Sequence, residues 1–200
     1  MSAGGHKDYQ GAKIGMWLFL FTEFMLFGGL FILYSGSRAL NPEAFHHASR
    51  ELNVPLGVAN TVILLTSSLF VAAAVTAIQK GRRKTAMRLV GLTAASGALF
   101  LVNKGVEWGA KFHHGIYPNG PALAHSPPGE ALFFGLYFIM TGLHGLHVLA
   151  GTVLLCVMLA WLARGRIQPD DCVALENSGL YWHLVDVIWI FLLPLFYLAA

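Results

Sequence analysis

Five ionisable side chains sit where the sequence is otherwise hydrocarbon-like. Glu23 lies in the apolar run 14–34, His144 and His147 in 133–162, and His183 and Asp186 in 175–199. Charge in hydrocarbon is costly, so such residues face a bundle interior and often mark function. Three kinds of chemistry are open to them. They can hydrogen-bond one another and fix helix register. They can handle protons, as Glu and His chains do in pumps. They can also ligate a metal or haem, since His144-Gly-Leu-His147 is an i, i+3 pair compatible with one ion. A diiron-type bundle, however, needs Glu-x-x-His on each of two helices, and no such motif occurs. Nothing resembles a second histidine pair at matched depth for a bis-histidine haem.

Helical spacing sorts these residues onto faces. In the last run Glu176, Gly179, His183, Asp186 and Ile190 form one stripe, and Tyr137, Thr141, His144, His147 and Gly151 form a similar one. From the rise per residue, Glu23 and His183 each lie about 15 Å from the inner ends of their helices, and His147 on the order of 24 Å. The three helices could bring a carboxylate and two imidazoles to similar levels. With no cationic partner beside it, Glu23 is expected to be protonated and hydrogen-bonded within the bundle, and each buried histidine ring nitrogen is expected to find a partner. The aromatic and Met-rich face of the first run, with Phe19, Phe21, Phe24, Met25 and Phe27, reads as bundle packing. Gly28-Gly29 read as small residues that permit close helix approach.

The elements that must position these groups are membrane spans. The 200 residues are 56% hydrophobic and 12% charged, against about 25% charged in a soluble domain. The fold class expected is all-α, a single transmembrane domain over 1–200 with spans at about 13–34, 56–78, 87–109, 130–162 and 173–198. The third span is weaker, because Lys104, Glu107 and Lys111 follow its apolar stretch. These three share a helix face and can pair at the membrane interface. The fourth is too long to cross untilted, and residues 115–129 form a Gly- and Pro-rich loop before it. The first apolar run is longer than a signal-peptide core and is read as a span that is kept.

Basic residues set the orientation. With the N-terminus inside, Lys7, Lys13, Lys80, Arg82, Arg83, Lys84, Arg88, Arg164 and Arg166 are inner, and Arg38, Arg50, Lys104 and Lys111 outer. That agrees with the positive-inside rule and puts the C-terminus outside. The cluster Lys80, Arg82, Arg83, Lys84 and Arg88 could also hold anionic lipid headgroups, although topology alone accounts for it. Cys156 reads as a small apolar core residue and Cys172 as a free loop thiol, too few and too differently placed for a disulfide framework. No nucleotide-binding loop, nucleophile triad or zinc motif is present.

Several segments carry a resemblance. YWHLVDVIWIFLLPLFYL, Tyr181 to Leu198, resembles the last helix of subunit III of the haem-copper cytochrome oxidases. TGLHGLHVLAG (Thr141 to Gly151), KIGMWLFLFTEFMLFGGLF (Lys13 to Phe31), VANTVILLTSS (Val58 to Ser68) and KGVEW (Lys104 to Trp108) match the same family in order. The resemblance implies an accessory subunit of a proton-pumping terminal oxidase reducing O2 to water. It also implies that haem and copper reside in partner subunits and that none resides in this chain. Further implications are packing against subunit I within a complex that also holds subunit II and possibly other respiratory subunits, bound phospholipid, and a multi-pass place in the bacterial inner membrane. Glu23 falls on the family's carbodiimide-reactive glutamate. Glu176, His183, Asp186, His144 and His147 match its other polar core residues, with no metal bound. The homologous subunit of a quinol oxidase or nitric oxide reductase is the alternative; the Tyr-Trp-His-x-Val-Asp ending favours the cytochrome c type. A stand-alone transporter would carry inverted repeats, and none is found. The mitochondrial form has two further helices. Without them, Glu23 and Asp186 are expected to face lipid unless another chain covers that side.

Overall fold

Each long apolar run becomes a helix because lipid offers its backbone no hydrogen-bond partner. The computed structural model describes residues 9–118 and 120–198; Lys7 lies outside them. The helices are α1 (Tyr9–Leu40), α2 (Pro42–Ser49), α3 (Val54–Gln79), α4 (Arg83–His113), α5 (Pro128–Ala163) and α6 (Val173–Tyr197), with a 3-10 turn at Leu123–His125. Among the described residues there is no named strand, and five helices are long and apolar enough to span a membrane. All five expected spans are present, and each extends beyond its apolar stretch at one end or both. At 36 residues, α5 is roughly 54 Å long. The short α2 falls in a segment read as a connection.

The helix ends follow from local chemistry. Asn53 Oδ1 accepts the Leu56 amide at 3.0 Å and starts α3. α3, α4 and α5 all stop at a glycine in the left-handed region, Gly81, Gly115 and Gly165. At each, the glycine amide and the next one turn back to close a Schellman motif; Gly81 N bonds Ile78 O and Arg82 N bonds Ala77 O.

α3, α4, α5 and α6 pack as a ring, each against its neighbours, and α1 lies along the outer seam of α5 and α6. Only Leu20, Phe27, Tyr34 and Ser37 of α1 are buried, a single stripe with one residue every two turns. The ring closes on Trp182, whose indole donates to Ser67 Oγ at 2.9 Å. It fits because Gly97 and Gly151 flank it. A Cβ at either would come within 2.6 Å and 2.9 Å of the indole. Close approaches thus fall at Gly97 and Gly151, and at Gly57 and Gly129 elsewhere, whereas a Cβ on Gly28 or Gly29 would meet nothing within 4 Å. At the end of the bundle holding α2, Tyr34, Phe45, Phe133 and Phe196 pack edge to face.

Cys156 departs from expectation, and Cys172 is the free thiol expected before α6 but is buried. Cys156 is exposed on the lipid-facing side of α5, and Cys172 is buried at the start of α6. Helical phase decides the first, and contact with Glu176, at 3.4 Å from the Cys172 sulfur, the second.

Candidate functional site: a polar seam through an apolar bundle

The seam is built where α1 meets α5. His147 Nε2 lies 2.8 Å from Glu23 Oε2, and both side chains are largely buried. His147 Nδ1 lies 2.8 Å from the carbonyl of Leu143. A carbonyl only accepts, so Nδ1 carries hydrogen. Nε2 and the carboxyl oxygen then share one proton, held as carboxylic acid with neutral imidazole or as carboxylate with imidazolium. Phe27 meets the ring edge-on, and the Tyr181 hydroxyl donates to the His147 carbonyl at 3.2 Å. Glu23 thus does have a partner within the bundle, as expected, and it faces α5.

The other expected residues separate. His144 and His147 are three apart, yet they diverge. His144 is fully buried, stacked on Trp189 at 5.2 Å and edge-on to Phe100 at 5.5 Å. Neither of its ring nitrogens has a partner among the described residues, contrary to the expectation for buried imidazoles; aromatic faces occupy the space where donors and acceptors would sit. The pair therefore does not converge on one point. His183 turns to α3, its Nδ1 2.6 Å from Ser68 Oγ, so two of the three groups expected at one level meet and the third does not. Asp186 is 3% exposed, with neither oxygen hydrogen-bonded. It does not face lipid, because its helical phase turns it into the ring. The stripe on α6 ends there, since Ile190 is exposed.

At the N-terminal end of α6, Glu176 pairs with Lys13 at 2.9 Å and accepts from Gln79 at 3.1 Å. A carboxylate in a first helical turn also complements the helix dipole. Burial, reinforced by the Glu176 carboxylate, pushes the Cys172 thiol up.

At the opposite end, Lys104, Glu107 and Lys111 were expected to pair at the interface. All three are buried within the bundle instead. Lys104 Nζ donates to Glu107 Oε2 at 2.9 Å, to Tyr197 Oη at 3.0 Å and to Tyr137 Oη at 3.1 Å, which uses its three hydrogens. The Tyr137 and Tyr197 hydroxyls donate to Glu107 at 2.9 Å and 2.7 Å. The network is closed, which is what permits the ion pair to be buried. Lys111 stands apart from it and donates to the Glu51 carbonyl at 3.3 Å. In the basic cluster, Arg83 caps α5 by donating to the carbonyls of Leu162 and Ala163. Lys80, Arg82, Lys84 and Arg88 are exposed.

Sequence reasoning missed Tyr197 and Ser68 as partners. The signal for Ser68 was present, a hydroxyl pair at 67–68 in a helix without charge.

Five helices long and apolar enough to span a membrane, with acids and a histidine buried between them, define a polytopic membrane protein. The family described as cytochrome c oxidase subunit III matches residues 3–200. The chain is 34% identical to cytochrome c oxidase subunit 3 of Corynebacterium diphtheriae, over 94% of each chain. It is 31% identical to that of Thermostichus vulcanus, over 98% of this chain and 90% of the relative. With the Gallus gallus protein it shares 33% over 92% of this chain and 67% of the relative. The chain belongs to the cytochrome c oxidase subunit III family, and so to a multi-subunit respiratory oxidase.

Proposed function

We propose that this chain is the accessory, non-catalytic subunit III of a proton-pumping haem-copper oxidase in a bacterial inner membrane. Haem and copper reside in the partner subunits, and the chain docks on subunit I. The observation that carries this reading is the Glu23–His147 pair, a proton shared in mid-membrane between the loosely held α1 and the ring. Such a pair can pass one proton between carboxyl and imidazole while staying neutral overall, which suits a site in hydrocarbon. The exposed apolar side of α1, with Trp17, Phe21 and Phe24, offers surface to subunit I and to lipid. A largely apolar groove of about 350 Å³, lined by Trp17, Leu20, Phe24 and Leu184 among others, suits the acyl chain of a bound phospholipid.

The N-terminus is inside. Burial of Lys104 and Lys111 removes two of the four outer basic residues from the surface, which sharpens the positive-inside imbalance. The test is purification of the tagged chain from its membrane, followed by Glu23→Gln in the assembled complex. Haem-bearing subunits should copurify, and the variant should assemble yet pump fewer protons per electron and inactivate sooner during turnover. A haem-free preparation of this chain alone, or unaltered pumping and lifetime in the variant, refutes the reading.

A further inference from the structure

Asp186 is a carboxyl that the Glu23–His147 pair does not explain. It is 3% exposed and unpartnered, in the part of the bundle where α6 meets α3. Asp186 follows His183 by three residues on the same face of α6, which brings it toward the Ser68 hydroxyl of α3. The same hydroxyl lies 2.6 Å from His183 Nδ1, one turn back along α6. His183 in turn lines a groove of about 400 Å³ between α1, α3 and α6, whose other walls include Lys13, Trp17, Val71, Glu176 and Asn177. That groove reaches the Lys13–Glu176 pair at the helix ends on the proposed inner side. The order is therefore groove, imidazole, hydroxyl, buried acid.

We propose that Asp186 is a reversible proton-binding site, loaded from this groove through His183 and Ser68. The transfers balance without any other reactant. His183 begins neutral with hydrogen on Nδ1, donating to Ser68 Oγ. Its Nε2 takes a proton from water in the groove; Nδ1 passes its hydrogen to Ser68 Oγ; Ser68 passes its own to the Asp186 carboxylate. The chain ends with Asp186 as the acid, Ser68 donating to Nδ1, and His183 neutral with hydrogen on Nε2. One proton has entered, and in the groove a hydronium ion has become water or a water has become hydroxide. Serine suits the middle position because its hydroxyl donates and accepts at once.

No charge is arranged around Asp186 to compensate it. α3 contributes no charged residue. On the other helices, Lys104 of α4 pairs with Glu107 and His147 of α5 with Glu23 of α1, and no side chain among the described residues bonds Asp186. A carboxylate left unpaired there would carry the full cost of desolvation, which protonation avoids.

The site extends the proton-handling reading above, and its test has a separate readout. In the purified oxidase, infrared spectra of wild type minus Asp186→Asn identify the acid's carbonyl band, and transfer to D2O follows its exchange. The expected result is a band at neutral pH that Asp186→Asn removes. Exchange should slow on the order of a hundredfold in Ser68→Ala and recover in Ser68→Thr. Absence of the band, or unchanged exchange in Ser68→Ala, overturns the proposal. Copurifying haem is scored on the same samples, so failure of the subunit reading is seen independently.

Discussion

The ammonium of Lys104 is held by three groups on three helices, which makes it the most demanding residue in the bundle. Removing one partner strands a charge. Glu107→Leu should destabilise the subunit by about 3–5 kcal/mol, and Lys104→Met with Glu107→Leu should recover most of that loss; thermal unfolding in detergent reads both. Cys172 makes a second prediction. Alkylation needs thiolate, and burial raises this thiol, so less thiolate is present at neutral pH. In a Cys156→Ser background, labelling should be slow near neutrality and accelerate only as pH rises past the ordinary thiol range. Glu176→Gln should shift the profile toward lower pH, because both of that residue's effects raise the thiol; a profile matching a free thiol contradicts the assignment. Residue types were the legible part of this site. The i, i+3 pairing of Lys104 with Glu107 could be read directly. The tyrosines that complete it come from 30 and 90 positions away from Glu107, and no local pattern encodes that meeting. His144 and His147 show the same limit: spacing placed them on one stripe, but about 60° of helical phase sends one to an aromatic stack and the other to a carboxylate.

Helices were legible where hydrophobicity was continuous. Their ends were written in Lys80-Gly81, His114-Gly115 and Arg164-Gly165, each a basic residue or histidine before a left-handed glycine. α2 was not legible, because eight residues cannot hold a helix alone; burial of Phe45 against Tyr34 and Phe133 makes it. Small residues were misassigned for a related reason. Adjacent glycines in α1 looked like a contact surface, whereas the contact falls at single glycines in α4 and α5. Gly97→Ala and Gly151→Ala should each cost about 1–3 kcal/mol through overpacking against Trp182. Gly28→Ala, with open space around it, should be neutral or gain up to about 1 kcal/mol in helix stability. Melting of the detergent-solubilised variants separates the two classes; equal effects would mean that Trp182 does not sit between those glycines.

At the scale of the whole molecule, basic residues divide the two ends. The connections after α3 and after α5 lie side by side, tied by Arg83, and carry most of the exposed positive charge. With that end inside, a cysteine replacing Lys84 should react with an impermeant maleimide only in inverted vesicles. One replacing His114 should react only in right-side-out vesicles. Both measurements use a chain lacking Cys156 and Cys172, and the reverse pattern would invert the topology. The number of spans could be read from the sequence. The division into a ring of four and a loosely attached first helix could not, because α1 is as apolar as the rest.

The polar side-chain ties of α1 to the ring include Lys13 to Glu176, Glu23 to His147 and the Tyr34 hydroxyl to the Leu195 carbonyl. Every one of these lies on α5 or α6, which leave the ribosome well after α1. α1 is therefore made before the helices that hold it in place. His147 follows Glu23 by 124 positions, a delay on the order of ten seconds at ordinary synthesis rates. Throughout that interval Glu23 has no imidazole to share its proton with, so attachment of α1 waits on synthesis of α5 and α6.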